Sequence, residues 1–164
     1  VTFHPETVNY ENNINHTTEL LNALNELTEY NIVITMPNAD TSGNYIRNKL
    51  IIFSRQHKNV YLFENMGTIN YLSCMKYCEF MLGNTSSGFI EASYFPKKVI
   101  NIGKRQTGRI ITPNIINCEI KKEAILESIK LLKDLKIPEK IDIYGNGKAS
   151  DKIIKILKNI IKND

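Results

Sequence analysis

Six residues, Gly83-Asn84-Thr85-Ser86-Ser87-Gly88, interrupt the apolar run Phe80-Met81-Leu82 and give way to Phe89-Ile90-Glu91. Hydroxyl-rich residues between a buried strand and a helix start place backbone N–H groups where no helical acceptor exists. Such donors attract anions, phosphate above all. Thr85, Ser86 and Ser87 add hydroxyl donors, and Gly83 and Gly88 let a ligand approach the backbone closely. Twelve residues after Glu91 comes Gly103-Lys104-Arg105-Gln106, again at the end of an apolar run. The planar fork of Arg105 suits a diphosphate, and a carboxylate at Glu91 can accept both hydroxyls of a ribose. His4, followed by Pro5, ends the first apolar run, and its imidazole can move a proton or donate to a phosphate near neutral pH. The residues together point to a phosphate-bearing small molecule of the nucleotide kind.

Each feature also has a plainer reading. The turn can be a capped strand-to-helix connection that holds nothing, His4 a loop histidine, and Glu91 a carboxylate favoured by the helix dipole. Two other chemistries fail on spacing. The turn approaches the Gly-x-Ser-x-Gly elbow of α/β hydrolases with Ser86 as nucleophile, but Asn84 stands at the first glycine. All three histidines (His4, His16 and His57) precede Ser86, whereas that fold places its histidine after the serine. A P-loop fails because Gly147-Lys148 is followed by Ala149 and Gly103-Lys104 by Arg105, without the required upstream glycine. His16 and His57 lie in polar helix-edge sequence and receive no role.

The elements that would position these residues are legible as alternation. Short β-branched runs at Val1–Phe3, Ile32–Met36, Val60–Phe63, Phe80–Leu82 and Val99–Ile102, with a sixth near Ile115–Cys118, predict strands. Helical periodicity fills 16–30, 42–56, 67–77 and 87–94 between them, and 121–136 and 149–162 after them. That alternation predicts one doubly wound α/β domain, a parallel sheet with helices on both faces. Ligands of such sheets bind outside the carboxyl ends of the strands. His4, Pro37-Asn38-Ala39-Asp40, Glu64-Asn65-Met66-Gly67, the Gly83–Gly88 turn and Gly103-Lys104-Arg105 each follow a strand and should share one rim.

At 164 residues and 42% hydrophobic content the chain is long enough for one cored domain. No run approaches the roughly 18 apolar residues of a membrane span. Val1 rather than Met comes first and enters a strand directly, so the sequence reads as a piece of a longer polypeptide. Cys74, Cys78 and Cys118 are odd in number and lack Cys-x-x-Cys spacing. They read as reduced, buried thiols in a cytoplasm, with neither a disulfide framework nor a metal site expected. The net charge of +4 resides entirely in 121–164, where eleven Lys face seven acidic residues. There Lys alternates with Ile and Leu at helical spacing, the pattern of a solvated helix face rather than of a nucleic-acid surface.

The stretch from Gly83 to Glu91, continuing through Val99-Ile100-Asn101-Ile102-Gly103-Lys104-Arg105-Gln106-Thr107-Gly108-Arg109, resembles the UDP-N-acetylglucosamine 2-epimerase family. Val1-Thr2-Phe3-His4-Pro5 resembles the opening of that family's second domain. The resemblance covers nearly the whole chain, with several motifs in the right order. It implies two Rossmann-like domains in a GT-B arrangement, of which this chain corresponds to the C-terminal one, with UDP or UDP-N-acetylglucosamine as ligand and no cofactor. By resemblance, Thr85, Ser86 and Arg105 hold the diphosphate, Glu91 the ribose, Asn38 the sugar-phosphate region and the backbone near Met66 the uracil, while His4 matches a histidine implicated in catalysis. Thr85 stands where relatives commonly have Ser and keeps the hydroxyl.

Pro37-Asn38-Ala39-Asp40 with Gly43, and Ile143-Tyr144-Gly145-Asn146-Gly147, resemble the hydrolysing branch, which yields free N-acetylmannosamine or a related 2-epimerised sugar for sialic-acid-type biosynthesis. The non-hydrolysing branch usually carries a His-containing first motif, absent here. The implied chemistry is anti elimination of UDP to a 2-acetamidoglucal, then water addition with inversion at C2. Acid and base carboxylates come largely from the N-terminal domain, so this chain alone should lack turnover. The full-length protein is expected to be a homo-oligomer. The alternatives are a non-hydrolysing UDP-N-acetylglucosamine 2-epimerase, a GT-B glycosyltransferase donor domain and a non-catalytic nucleotide-sugar sensor, all of which share this architecture.

Overall fold

Parallel strands cannot be joined by tight hairpins, so each must be followed by a crossover that packs on the sheet. The computed structural model, which describes residues 1–6, 10–38, 43–139 and 141–161, shows this pattern throughout. Five strands form: β1 (Ile32–Thr35), β2 (Val60–Phe63), β3 (Met81–Gly83), β4 (Val99–Ile102) and β5 (Ile115–Cys118). β1 pairs with β2, β3 with β4, and β4 with β5, all in parallel.

The expected Val1–Phe3 strand contracts to Thr2, which bridges Thr35 on one side and Gly83 on the other. The Thr2 N–H donates to the Leu82 carbonyl and the Thr2 carbonyl accepts from the Asn84 N–H, both at 3.1 Å. The Thr35 N–H donates to the Val1 carbonyl at 3.0 Å. Counted as the first strand, this segment gives the order 3-2-1-4-5-6, that of a Rossmann sheet. Its switch point lies between Thr2 and Gly83.

The helices are α1 (Asn13–Asn25), α2 (Gly43–Gln56), α3 (Gly67–Tyr77), α4 (Glu91–Tyr94), α5 (Lys122–Leu131) and α6 (Ala149–Ile161). Leu20 and Leu24 of α1, Ile46, Leu50 and Phe53 of α2, and Ile125 and Ile129 of α5 are buried with Phe3, Ile34, Leu82, Ile100 and Ile102. A smaller cluster joins Met75 of α3, Phe89 and Ala92 to Val99 and Ile115. Neighbouring strand residues such as Val99 and Ile100 alternate between the clusters, so the sheet is covered on both faces.

Three helices differ from the periodicity. α1 starts early and ends at Asn25, because Asn59 Nδ2 takes the Tyr30 carbonyl at 2.8 Å and draws the following chain toward β1. α5 stops at Leu131, where Lys98 Nζ captures the next carbonyl, that of Leu132. The helix expected over 87–94 is broken into a 3₁₀ turn, Ser86–Gly88, and the single turn of α4. Gly88 sits against the β4 side chain of Val99, where an added Cβ would lie 3.0 Å from its Cγ1.

α6 lies where the Lys-rich pattern places it, with Ser42 and Lys162 of the expected helix spans outside the described residues. Its Ile153, Ile154, Ile156, Leu157 and Ile160 are all exposed, so the apolar face of α6 meets no described part of the chain. No helix of the described residues is long and apolar enough to cross a membrane.

Candidate functional site

The switch point is held together by one side chain. Asn84 is fully buried. Its Oδ1 accepts the His4 N–H at 2.7 Å, and its Nδ2 donates to the His4 carbonyl at 2.8 Å. The Asn84 carbonyl accepts from Gln106 Nε2 at 2.8 Å and from Arg105 Nη1 at 3.3 Å. Residues from the ends of the first strand, β3 and β4 thus converge on one backbone position. The His4 ring is buried, and its Nδ1 accepts the Asn38 N–H at 3.1 Å. In the neutral imidazole that bond leaves the proton on Nε2.

The turn beyond Asn84 is arranged around three acceptor atoms of Thr85 and Ser86. Thr85 Oγ1 accepts the Ser87 N–H at 3.4 Å, and the Thr85 carbonyl accepts the Gly88 N–H at 3.2 Å. The Ser86 carbonyl takes the N–H groups of both Phe89 and Ile90. The N–H groups of Thr85 and Ser86 are bonded to no described residue, which leaves two adjacent donors for an anion. Because the helix behind them is short, these local donors and the nearby guanidinium supply the field, and a long macrodipole does not contribute. Arg105 is exposed, so its remaining guanidinium N–H groups are accessible beside the turn.

A second set of bonds ties the β4 loop to the His4 loop. Glu6 is buried and its Oε1 accepts the Lys104 N–H at 2.8 Å. Asn13 fixes Glu6 in turn, Oδ1 accepting the Glu6 N–H and Nδ2 donating to its carbonyl. Gly103 has φ +75°, and a Cβ there would lie 2.4 Å from Glu6 Oε1. Gln106, also buried, accepts from Arg109 Nε at 2.6 Å.

The structure therefore gathers His4, Asn38, Thr85, Ser86 and Arg105 on one rim, with Asn38 contributing its backbone N–H. Ala39 and Asp40 of the same motif lie outside the described residues. Glu91 is half-buried at the start of α4, beyond the 3₁₀ turn. Met66 caps α3 and borders an apolar groove of about 340 Å³ with Val1, Thr2, Thr35 and Tyr71. No local sequence pattern singles out Asn84, Glu6 or Gln106 as a site residue. Asn84 directly follows Gly83 at a strand end, whereas neither Glu6 nor Gln106 adjoins a strand end or a glycine.

The three cysteines are free and half-buried. Burial pushes the Cys78 and Cys118 thiols up, and burial also raises the Tyr71 hydroxyl, against hydrogen bonds to Ser87 and Thr2 that pull it down. All three groups are held neutral in the folded chain and ionise more readily once unfolded. Stability is then fully present below the ordinary thiol and phenol values, about 8.5 and 10, and falls as pH rises through them. Urea midpoints should decline steadily from about pH 8.5 upward. A midpoint that rises over that range would contradict this account.

Comparison with known proteins places the chain. A family profile described as UDP-N-acetylglucosamine 2-epimerase matches residues 1–158. The GDP/UDP-N,N'-diacetylbacillosamine 2-epimerase (hydrolyzing) of Campylobacter jejuni is 40% identical over 121 residues, 73% of this chain and 32% of that protein. The UDP-N,N'-diacetylbacillosamine 2-epimerase (hydrolyzing) of Legionella pneumophila is 32% identical over 133 residues, 81% of this chain and 35% of that protein. The chain thus spans about a third of the length of these relatives. A crystal structure of Methanocaldococcus jannaschii UDP-GlcNAc 2-epimerase, in complex with UDP-GlcNAc and UDP, superimposes with a TM-score of 0.75 at 16% identity, covering 96% of this chain and 44% of that one. The profile match across nearly every residue, on a Rossmann sheet of the same fold, establishes that the chain belongs to the UDP-N-acetylglucosamine 2-epimerase family.

Proposed function

We propose that this chain is the UDP-binding half of a hydrolysing UDP-N-acetylglucosamine 2-epimerase, and that it binds UDP without turning over substrate by itself. The observation that carries the reading is the convergence of His4, the Thr85-Ser86 donors and Arg105 on Asn84 at the switch point of the sheet. A diphosphate seated there meets two free N–H donors, adjacent hydroxyls and a guanidinium. These groups are most valuable where negative charge develops, on the departing diphosphate oxygens during elimination of UDP. Glu91 takes the ribose hydroxyls, the backbone at Met66 the uracil and Asn38 the sugar-phosphate region. His4, with its proton on Nε2, faces the reacting end of the ligand.

The names of the Campylobacter and Legionella relatives support the hydrolysing outcome, with a free 2-epimerised amino sugar as product. Sialic-acid-type or surface-polysaccharide biosynthesis in a cytoplasm is the corresponding setting. The remaining catalytic carboxylates, the GT-B cleft and a homo-oligomeric assembly belong to the longer polypeptide, whose N-terminal domain is the proposed partner of this one.

Isothermal titration of the chain with UDP tests the reading. Binding is expected, and Arg105→Ala should weaken it about ten- to a hundred-fold, the loss of one charge-assisted contact of roughly 1.5–3 kcal/mol. No heat from the unaltered chain, or equal affinity after Arg105→Ala, refutes the nucleotide assignment. In the longer polypeptide, free sugar plus UDP from the nucleotide-sugar alone supports hydrolysis, and transfer to an added acceptor supports a glycosyltransferase.

A further inference from the structure

We infer that Asn84 is a positioning residue whose side-chain amide sets the orientation of the His4 imidazole and joins it to the anion-binding loop. Backbone pairing between the first strand and β3 ends with the Asn84 N–H on the Thr2 carbonyl. At that point the Asn84 amide substitutes for a peptide group. Its Oδ1 accepts the His4 N–H and its Nδ2 donates to the His4 carbonyl, at 2.7 and 2.8 Å. The same residue's N–H donates to the Thr2 carbonyl at 3.1 Å, and its carbonyl receives Gln106 Nε2 and Arg105 Nη1. Every polar group of Asn84 is therefore used in a fully buried position, and each bond reaches a segment that carries a candidate site residue.

The His4 backbone, clamped from both sides, can present its ring in only a narrow range. That range places Nδ1 on the Asn38 N–H, 3.1 Å away. The Asn84 amide thereby dictates, at one remove, which ring nitrogen carries the proton of the neutral imidazole. Only an amide of this length supplies a donor and an acceptor in the required order. Aspartate keeps the acceptor and loses the donor, removing the bond from the Asn84 side chain to the His4 carbonyl. Alanine loses both. The mechanistic weight of this arrangement rests on the UDP-binding reading, but the arrangement itself can be measured without ligand.

The chain holds only three histidines, His4, His16 and His57, so nitrogen-15 spectra of histidine-labelled protein report each ring separately. In the unaltered chain His4 should show one dominant tautomer, protonated at Nε2. Asn84→Ala should convert that signal to a mixture of tautomers while the His16 and His57 signals stay in place, and Asn84→Asp should give an intermediate mixture. The aspartate variant, nearly the same shape as asparagine, serves as the readout where alanine fails to fold. An unchanged His4 tautomer in either folded variant overturns the proposal. Added UDP separates this inference from the one it rests on. A His4 signal that moves with UDP in the unaltered chain, and moves less in Asn84→Asp, ties the positioning to the ligand. Tautomer loss without any UDP response upholds the positioning role and refutes the nucleotide assignment.

Discussion

Gly83→Ala is expected to cost about 2–6 kcal/mol of folding stability, enough to leave a large fraction of the chain unfolded at room temperature. Gly83 has φ +148°, a backbone conformation that L side chains rarely adopt. Holding a non-glycine residue there costs on the order of 1–3 kcal/mol. Steric overlap adds to that strain, because an alanine Cβ would lie 1.9 Å from the Thr2 carbonyl oxygen and 2.8 Å from its carbon. Both are backbone atoms of the paired first strand, so neither can rotate away as a side chain would. Relief requires the first strand to separate from β3, with loss of the bonds from Thr2 N–H to Leu82 and from Asn84 N–H to Thr2. Such overpacking costs roughly another 1–3 kcal/mol. Urea denaturation followed by circular dichroism measures the sum. A midpoint indistinguishable from that of the unaltered chain would mean that the strand contact is not as tight as described.

Phe3→Ala should cost about 3–5 kcal/mol by the same measurement, through the opposite fault. Phe3 is fully buried among the helices of the larger cluster and is the largest side chain anchoring the first strand. Removing its ring leaves a cavity that the surrounding cluster can only partly close. The two neighbours of Phe3 give this substitution a second consequence. Thr2 joins the halves of the sheet, and His4 enters the site. UDP affinity should therefore fall with stability, and added UDP should recover part of the lost midpoint. Recovery equal to that of the unaltered chain, with no loss of affinity, would show that the cavity is absorbed without disturbing His4.

The comparison of sequence with structure divides along the range of the interactions. Strands announced by β-branched runs, such as Val60–Phe63 and Val99–Ile102, form with the expected bounds, and α3 spans the expected residues. Those elements are set by local periodicity and by flanking Gly and Pro. The rim was legible for the same reason, since the strand-end rule needs only the strands. What was not legible depends on pairs far apart in the chain. Asn84 meets His4 across 80 positions and Glu6 meets Lys104 across 98, and neither bond leaves any local pattern. The helix after the turn was overestimated because its apolar spacing is helical, while close packing of Gly88 against Val99 breaks it. The expected Val1–Phe3 strand is longer than the one that forms: Phe3 is buried in the core, while the His4 backbone bonds to the Asn84 side chain.

Thr2 acts as the keystone of an arch. The β1–β2 pair and the β3–β4–β5 sheet are strand-paired to each other only through this residue among those described. The bridge between Thr2 and Gly83 closes a long stretch of chain, so it has to offset a loop-closure entropy that local pairings do not face. The same seam brings His4 to Asn84. Assembly of the sheet and assembly of the site become a single event. A ligand bridging the two sides of the seam would slow its reopening, and the amides of Thr2, Thr35 and Asn84 are where that protection against solvent exchange would concentrate.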